Sequence, residues 1–443
     1  MAEHPVRVGV LSFHDSKESK AILNAVEDFG HEPVWLREKN VLIRFTNGQF
    51  VLEPDVDVVV NRLLLSTAKQ PTEAVGFANT IARFRPMVND PDAAALASHK
   101  IASAAAMVDD DVPVPETALA LGTTMLGQIS PTFGDEFVYK TTVGTHGGGA
   151  WKVRQTDLIT GTVGTRRAFL QELVHTDRER PRDLRVYVVD GSIVGAMYRY
   201  AADDDWRTNI ARGGHAEDAT ETLPDGVDTI AKRATDAVGL DCAGVDLIEG
   251  NDGWFVLEVN PTAGFKGLFQ ATGRSPAPHI AKLAIERAGG SVDTTLVAML
   301  QSTLDDSIPS CVPMTVEPIE GESPTIGLTE RVVISGTTDT KTVIGRAEPV
   351  ASQTRIDLQL AAAIGAGPIQ VSDAGSDQDG RNERKPIVDV VVGIAGTEQT
   401  VNAQVEDRAE ATYPLLLGRD VLADFQIDVG TRYQDGSTET LGK

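Results

Sequence analysis

The sequence predicts an α/β and α+β chain that ends in a mostly β domain, and three observations support this fold class. Strand patterns alternate with amphipathic helix patterns through residues 1–289, as in α/β folds. Residues 290–323 are rich in Ser, Pro, Asp and Glu, which predicts a linker. Residues 324–443 then contain several strand patterns and one clear helix pattern at Leu358–Ile364.

The first predicted domain, residues 1–95, is a small α/β layer. A buried-strand pattern over residues 6–13 precedes an amphipathic helix pattern from Ser16 to Gly30. Two further strand patterns, HEPVWLR and DVDVVVNRLLL, predict a mostly parallel sheet. No glycine-rich turn joins the first strand to the first helix. We therefore do not expect a dinucleotide-binding Rossmann unit, whose backbone must approach a pyrophosphate closely.

The second predicted domain, residues 96–289, is built mainly from hairpins. The sequence Asn89-Asp90-Pro91 starts a helix that we expect to run to Met107. The strand patterns EFVYKTT and AWKVR flank VGTHGGG, which predicts a hairpin with a flexible glycine lid. RDLRVYVVDG and SIVGAMYRY predict a second hairpin, turned at Asp190-Gly191.

Charge excludes one class of function. The chain has 40 basic and 64 acidic residues, a formal net charge of −24, and Asp outnumbers Glu while Arg outnumbers Lys. Such a surface repels phosphate backbones, so we expect no nucleic-acid partner. Self-repulsion on this scale destabilises a folded chain unless salt screens it. The composition therefore favours a halophilic source over an acidic mesophilic one.

The N-terminus lacks a signal-peptide pattern, and no apolar stretch is long enough to span a membrane. We expect a soluble, cytoplasmic protein without a membrane partner. The two cysteines, Cys242 and Cys311, are too few for a disulfide framework or a multi-cysteine zinc site, and small core residues are the better interpretation.

The most informative pattern is a hairpin around Asn251–Gly253. If those three residues form the loop, Gly250 pairs with Trp254 and Asp246 faces Glu258. Asn260 lies two residues further on and shares that face. Two directly opposed carboxylates repel each other unless a cation lies between them. Oxygen ligands of this type suit Mg²⁺, although exposed charges on a hairpin would give the same pattern.

Other residues supply what a triphosphate requires. Lys100 and Lys140 are isolated lysines in a chain with only 13. The glycine lid follows Lys140 closely in sequence, and WRTNIARGG adds polar and cationic groups that suit anionic oxygens. Its three candidate residues are Arg207, Asn209 and Arg212.

These residues carry a family resemblance. FLQELV, RDLRVYVVDG, WRTNIARGG, AGVDLI and LEVNPTAGFKG occur in the order and at the spacing found in RimK-type ATP-grasp ligases. The chain from Lys100 to about Gly273 resembles that family closely, and the first ninety residues resemble its pre-ATP-grasp domain loosely. Members use ATP to add glutamate to a protein C-terminus or a small acceptor.

The resemblance implies a role for each candidate residue. The metal, Mg²⁺ with Mn²⁺ as an alternative, would be bound by Asp246, Glu258 and Asn260. Arg207, Asn209 and Arg212 would be the catalytic residues that face the transferred phosphoryl group and the substrate carboxylate. ATP would be held by Lys100, Lys140, Gly144, Gly147, Gly148, Gly149, Gln171, Glu172 and Asp183, with the adenine at Gln171 and Glu172 and the ribose at Asp183.

The resemblance also implies the reaction. ATP would phosphorylate a carboxylate, and the acyl phosphate would then accept the amine of glutamate or a similar amino acid. The acceptor stays open between a protein C-terminus and a pterin, deazaflavin or amino-acid carrier, since Phe265-Lys266 stands where the family pattern has an acidic residue. We expect a homo-oligomer. An ATP-binding scaffold without ligase activity is the non-enzyme alternative.

The last domain resembles the retropepsin-like domain often called an ATP-dependent zinc protease. The matching segments are IGLTERVVISG, RIDLQLAAAIG and YPLLLGRDVLADFQIDV. Such proteases need an Asp-Thr/Ser-Gly turn, but Glu348-Pro349-Val350-Ala351 occupies the matching place. Proline and valine cannot replace the glycine-dependent turn and the hydroxyl. We therefore expect a non-catalytic binding or dimerisation module, and an active aspartic-type protease is the alternative.

Overall fold

The computed structural model divides into two compact units, residues 1–316 and 317–443, which are described separately. It describes residues 4–14, 16–68, 70–144, 149–163, 166–176, 181–201, 206, 208, 215–307, 309, 324–336, 339–366, 370–372, 385–409, 411–434 and 437–440.

The first unit begins with a four-stranded parallel sheet of order β2-β1-β5-β6, which confirms the predicted layer. Its strands alternate with helices whose apolar faces cover the sheet, and a separate β3-β4 hairpin was not predicted. The strands are β1 Arg7–Leu11, β2 Glu32–Leu36, β3 Leu42–Thr46, β4 Gln49–Glu53, β5 Val58–Asn61 and β6 Met87–Val88, and the helices are α1 Lys17–Asp28 and α2 Pro71–Ala82.

The predicted helix from Asn89 to Met107 is two helices, α3 Pro91–Ser98 and α4 Lys100–Asp109. Asp90 caps the first with hydrogen bonds to two backbone N–H groups. His99 has extended backbone and caps the second by accepting a hydrogen bond from the N–H of Ala102. This break places Lys100 in the first turn of α4 instead of in the middle of a long helix.

Two antiparallel sheets follow, of order β10-β11-β8-β9 with β7 beside β11, and β14-β13-β12-β15-β16. Both predicted hairpins are confirmed, and Asp190 and Gly191 have the positive φ angles that their tight turn requires. The strands are β7 Thr117–Ala118, β8 Glu136–Thr141, β9 Ala150–Arg154, β10 Thr162–Val163, β11 Arg166–Glu172, β12 Arg182–Val189, β13 Ser192–Tyr200, β14 His215–Asp218, β15 Cys242–Gly250 and β16 Gly253–Asn260. The helices are α5 Thr123–Ile129, a 3₁₀ turn Ser130–Phe133, α6 Val227–Ala237, α7 Lys266–Thr272, α8 Ala277–Arg287 and α9 Thr294–Leu300.

The first unit has no separation between the two predicted α/β domains. Val8 and Val10 of the parallel sheet share one buried core with Leu268 of α7 and Ile280 of α8. The linker prediction was wrong for its first part, because α9 lies within it and buries Val297. Asp306 forms an ion pair with Lys17 at 2.7 Å, so this segment also packs on the first unit.

The second unit is a nine-stranded sheet that closes on itself, since β17 pairs with β18, β24 and β21. Its apolar interior contains residues from most strands, including Val332, Ile356 and Leu417. The predicted helix is confirmed as α10. The elements are β17 Thr325–Ser335, β18 Thr340–Ala347, β19 Arg355–Asp357, α10 Leu358–Ala363, β20 Gln370–Ser372, β21 Lys385–Ile394, β22 Thr397–Glu406, β23 Leu415–Leu417, α11 Arg419–Leu422, β24 Gln426–Gln434 and β25 Ser437–Thr440.

Among the helices that the structure describes, none has the length and apolar character needed to cross a bilayer.

Candidate functional site

A cavity of about 1090 Å³ lies in the first unit, between the two antiparallel sheets and the carboxyl edge of the parallel sheet. Every candidate residue of this unit that the structure describes lines it. They are Lys100, Lys140, Gly144, Gly149, Gln171, Glu172, Asp183, Asp246, Glu258 and Asn260. The candidates Gly147, Gly148, Arg207, Asn209 and Arg212 lie outside the described residues.

The predicted pair of carboxylates is confirmed, but not by the predicted turn. Asp246 of β15 pairs directly with Glu258 of β16. Gly250, however, pairs with Gly253 and not with Trp254, so the turn has two residues instead of three. The register then shifts by one at Leu257, a β-bulge that restores the expected pairing.

Asn260 completes a set of three side chains that converge. Its amide nitrogen lies 3.2 Å from Glu258 Oε1 and 3.4 Å from Asp246 Oδ2, so both carboxylates lie within reach of one small group. Two carboxylates and an amide are ligands that fit Mg²⁺. The described part of the chain has no cluster of three or more His, Cys, Asp and Glu residues that could hold a metal, so a metal here would depend on Asn260.

Lys100 lies against this carboxylate pair. Its Nζ donates to Glu258 Oε2 at 2.7 Å and to the carbonyl oxygen of Gly144 at 3.2 Å. Burial alone would raise the pKa of Glu258, but the charge of Lys100 outweighs it and places that pKa well below its ordinary value. This shift favours the ionised form of Glu258, which is the form that a cation ligand requires.

Lys140 extends from β8 into the same cavity. Its Nζ donates to Gln171 Oε1 of β11 at 2.5 Å, and Gln171 is itself 5% exposed. Burial lowers the pKa of Lys140 to about 8 against the attraction of Glu258. A cation held in so dry a wall favours an anionic ligand, such as a phosphate.

Asp183 lines the cavity, but its carboxylate is already engaged. Arg199 donates to both of its oxygens, at 2.7 and 2.5 Å, and the hydroxyl of Thr208 donates to Oδ2 at 2.5 Å. Burial raises the pKa of Asp183, and Arg199 opposes this rise. Contact with a ribose would have to compete with these bonds, so that role stays a prediction.

Sequence reasoning missed two buried arginines. Arg185 donates to both oxygens of Asp246, at 2.5 and 2.6 Å, and Arg199 lies 3.0 Å from Asp246 Oδ2. They join Asp183 and Asp246 into one network of four charges. A signal was present, because Asp183 and Arg185 are two residues apart in a strand and must share its cavity face.

The end of the cavity at which the sequence predicts the adenine is built by β11 and the segment after it. The N–H of Glu172 donates to the carbonyl oxygen of Glu116 at 2.8 Å, so this N–H is not free for an adenine. Leu173 and Val174, which follow, line the cavity. The prediction that the backbone after Gln171 and Glu172 holds the base is compatible with this geometry.

Among the described residues of the glycine lid, Gly149 has the least room for a side chain. A Cβ atom there would lie 2.3 Å from Thr141 Oγ1, so that Thr141 would have to move. Gly149 thus allows β9 to approach β8 closely where the hairpin leaves the cavity, and its carbonyl oxygen accepts from the N–H of Thr141 at 2.9 Å.

In the second unit, Glu348 lies in a turn at the surface. The N–H of Ala351 donates to the carbonyl oxygen of Glu348 at 2.9 Å, and Val350 is 81% exposed. No positive φ angle occurs in this turn. Its geometry therefore differs from the glycine-dependent turn of aspartic proteases, which agrees with a non-catalytic interpretation.

Known proteins match this architecture. Residues 97–283 match the RimK-like ATP-grasp domain. The probable alpha-L-glutamate ligase of Mannheimia succiniciproducens is 30% identical over 231 residues, which cover 51% of this chain and 75% of that protein. The chain belongs to the RimK-like ATP-grasp family.

Other relatives agree with this membership. The tetrahydromethanopterin:alpha-L-glutamate ligase of Methanocaldococcus jannaschii is 32% identical over 191 residues, 41% of this chain and 64% of that protein, so the match spans less than two thirds of its length. The solved ATP-grasp ligase PsnB, in complex with a minimal precursor, has a TM-score of 0.51 at 20% identity over 63% of this chain and 99% of its own. This structural similarity to PsnB shows the ATP-grasp fold alone. The relatives are named as ligases, which supports an ATP-dependent ligase here.

Proposed function

We propose that the protein is a carboxylate-amine ligase that uses ATP to add glutamate, or a similar amino acid, to an acceptor. One observation carries the proposal, the convergence of Asp246, Glu258 and Asn260 in a cavity that also holds Lys100 and Lys140. Oxygen ligands for a divalent cation beside two cations for phosphates are the components that phosphoryl transfer needs.

The proposed reaction has two steps. The carboxylate oxygen of the acceptor attacks the terminal phosphorus of ATP, which releases ADP and forms an acyl phosphate. The amine of glutamate then attacks the acyl carbon, the new C–N bond forms, the C–O bond to phosphate breaks, and the amine loses a proton. The chain supplies position and charge for both steps and forms no covalent bond itself.

Each described side chain has a part in this scheme. Asp246, Glu258 and Asn260 would hold Mg²⁺, which when bound neutralises charge on the phosphates. Lys100 and Lys140 would bind phosphate oxygens, since both ammonium groups lie in the cavity wall. Arg185 and Arg199 keep Asp246 oriented through the bonds described above. The glycine hairpin would close over the phosphates and exclude water from the acyl phosphate.

A labelling experiment tests the proposal. The purified protein is incubated with ATP, Mg²⁺, isotope-labelled L-glutamate and extract of the source organism, and products are followed by mass spectrometry. We expect a labelled product whose mass rises by one or more glutamyl residues and which is absent when ATP is omitted. Absence of any labelled product, with no ADP formed, would contradict ligase activity.

A small-molecule acceptor is the second candidate. The M. jannaschii relative is named for a pterin acceptor, which favours a small molecule as the alternative to a protein terminus. The same experiment separates the candidates, because the labelled product is recovered either with the protein fraction or with the small-molecule fraction.

We also propose that the second unit is a retropepsin-like module without protease activity. Its closed sheet and the surface turn at Glu348 support this. It would bind the acceptor or pair with a second copy. Removing residues 324–443 should then change acceptor affinity or oligomeric state while ATP binding persists.

A further inference from the structure

One end of the cavity is the carboxyl edge of the parallel sheet. In the strand order β2-β1-β5-β6, the chain passes from β1 to β2 on one side and from β5 to β6 on the other. Open parallel sheets bind ligands at such a switch point, outside the carboxyl ends of the two strands. His14, shortly after β1, and Arg62, directly after β5, both line the cavity there.

Arg62 is a buried cation without an ion pair among the residues that the structure describes. It is 4% exposed, and its Nε is buried with no hydrogen-bond partner. Its Nη2 donates to the carbonyl oxygens of Thr262 and Ala263 at 3.4 Å each, which are long hydrogen bonds. The guanidinium therefore retains donor capacity.

The neighbouring acid, Glu18, attracts the guanidinium of Arg62 from a distance. Glu18 accepts from the N–H of Phe265 at 3.1 Å and from the hydroxyl of Ser16 at 3.2 Å, and it forms no ion pair with Arg62. Lys17 and Lys266 line the same end of the cavity. Lys17 is neutralised by its ion pair with Asp306 at 2.7 Å, so Arg62 and Lys266 are the cations that favour an anionic group at this end, in a chain that is strongly acidic overall.

A purely structural role for Arg62 is poorly supported. Arg62 does donate hydrogen bonds to the loop after Asn260, but three other hydrogen bonds also hold that loop in place. Asn89 Nδ2 donates to the carbonyl oxygen of Pro261 at 3.1 Å, the hydroxyl of Tyr187 donates to that of Gly264, and Glu18 accepts from Phe265. Each of these hydrogen bonds is shorter than those of Arg62.

We propose that Arg62 binds a free carboxylate of the amino-acid substrate at this switch point. The inference rests on the proposed function and names its substrate class, an amino dicarboxylic acid such as L-glutamate. A guanidinium fork matches a carboxylate in two parallel hydrogen bonds, which a lysine cannot reproduce. The carboxylate bound here does not react, because in the proposed reaction the acceptor supplies the reacting carboxylate and the amino acid supplies its amine.

Calorimetry with three ligands tests this inference. The full chain, loaded with Mg²⁺ and a non-hydrolysable ATP analogue, is titrated with L-glutamate, L-glutamine and the α-amide of L-glutamate. One of the two amides lacks the carboxylate that Arg62 binds. We expect the wild type to bind L-glutamate at least tenfold more tightly than that amide. Arg62→Lys and Arg62→Met should each lose at least tenfold in L-glutamate affinity and lose that preference, while affinity for the ATP analogue stays within twofold.

Arg85→Lys is the matched control. Arg85 also donates to a backbone carbonyl, that of Val56 at 2.7 Å, but it precedes β6 at the opposite edge of the same sheet. This variant should match the wild type with every ligand.

Three results would overturn the inference. An equal loss for all three amino acids together with the ATP analogue would show that Arg62 only positions the loop. A wild type that binds the three amino acids alike, or that binds the ATP analogue but no L-glutamate, would show that no such carboxylate subsite exists. If the ATP analogue itself does not bind, the proposed function fails, and this result is distinct from the others.

Discussion

The two units each place an acidic side chain where catalysis was considered, and the surroundings of the two side chains differ. Asp246 in the first unit is 4% exposed, is bonded by two arginines and faces a second carboxylate. Glu348 in the second unit lies beside the 81% exposed Val350. A carboxylate acquires unusual chemistry from burial and fixed neighbours, so acidic character alone does not define a site.

Removing one carboxylate of the first unit should have the largest effect. Glu258→Gln and Asp246→Asn keep side-chain volume but remove a charged metal ligand, so ATP turnover should fall by roughly 100-fold or more. ADP release at saturating Mg²⁺ measures this. Asp252→Asn, in the exposed turn of the same hairpin, is the control and should keep wild-type turnover. Turnover of Glu258→Gln within a few-fold of wild type would contradict the metal-site proposal.

Salt should act on both units, and more strongly on the second. Residues 317–443 contain 21 acidic and 11 basic residues, against 43 and 29 in residues 1–316, so net negative charge per residue is higher in the second unit. Raising KCl from 0.1 to 3 M should raise the melting temperature by roughly 10 °C or more, because salt screens this repulsion. Differential scanning calorimetry measures this. A flat profile would contradict the prediction of a halophilic source.

Lys140→Met should stabilise the first unit while weakening nucleotide binding. The pKa of Lys140 falls from 10.5 to about 8 on burial, so the unfolded chain binds its proton more tightly. The charged, buried lysine therefore lowers the unfolding free energy of the wild type. This destabilisation is fully present below pH 8, disappears as the pH rises toward 10.5, and amounts to at most about 3 kcal/mol. In a series of measurements from pH 7 to 10.5, the unfolding free energy of the variant should exceed that of the wild type only at the lower end. Lys152→Met, at an exposed position of β9, is the control and should show no such pH-dependent gain in unfolding free energy.

Glu348→Gln should have the smallest effect. Because this side chain lies in a surface turn, the unfolding free energy should change by less than about 0.5 kcal/mol. The wild-type chain should leave a mixed peptide library uncleaved from pH 3 to 8. Cleavage that disappears in Glu348→Gln would show an active protease and would reverse the comparison between the two units.

Local patterns predicted much of the fold, because hairpins and capped helices are specified over a few residues. The turn at Asp190-Gly191 and the start of α3 are examples. The break at His99 was missed because an Ala-rich run favours an unbroken helix, whereas packing of the two segments determines where it ends. Helix α9 was missed because its flanks have the composition of a linker.

In the site, the residues of the facing hairpin could be predicted, since a strand fixes which side chains share a face. The pairing of Arg199 with Asp183 could not, because a β-bulge between Tyr187 and Val188 shifts the register by one, and a regular hairpin from the Asp190-Gly191 turn would place Tyr198 opposite Asp183. Arg62 was missed because its lack of an ion pair among the described residues is a property of three-dimensional packing, and no spacing in the sequence reports it.

The bulge at Leu257 divides the hairpin into two stretches. A change of chain length in one stretch need not alter the strand pairing in the other. The pairs from Gly250 with Gly253 to Leu247 with Val256 are set by the turn, whereas the pairing of Asp246 with Glu258 is set beyond the bulge. The tip at Asn251 and Asp252 can therefore accept an inserted label or tag without moving the carboxylates. Deleting Leu257 would remove the bulge and make the ladder regular, so that Glu258 would follow Val256 directly and still lie opposite Asp246. Losing one further residue of this strand would instead bring Val259 opposite Asp246, so the bulge gives the site a tolerance of one residue in strand length.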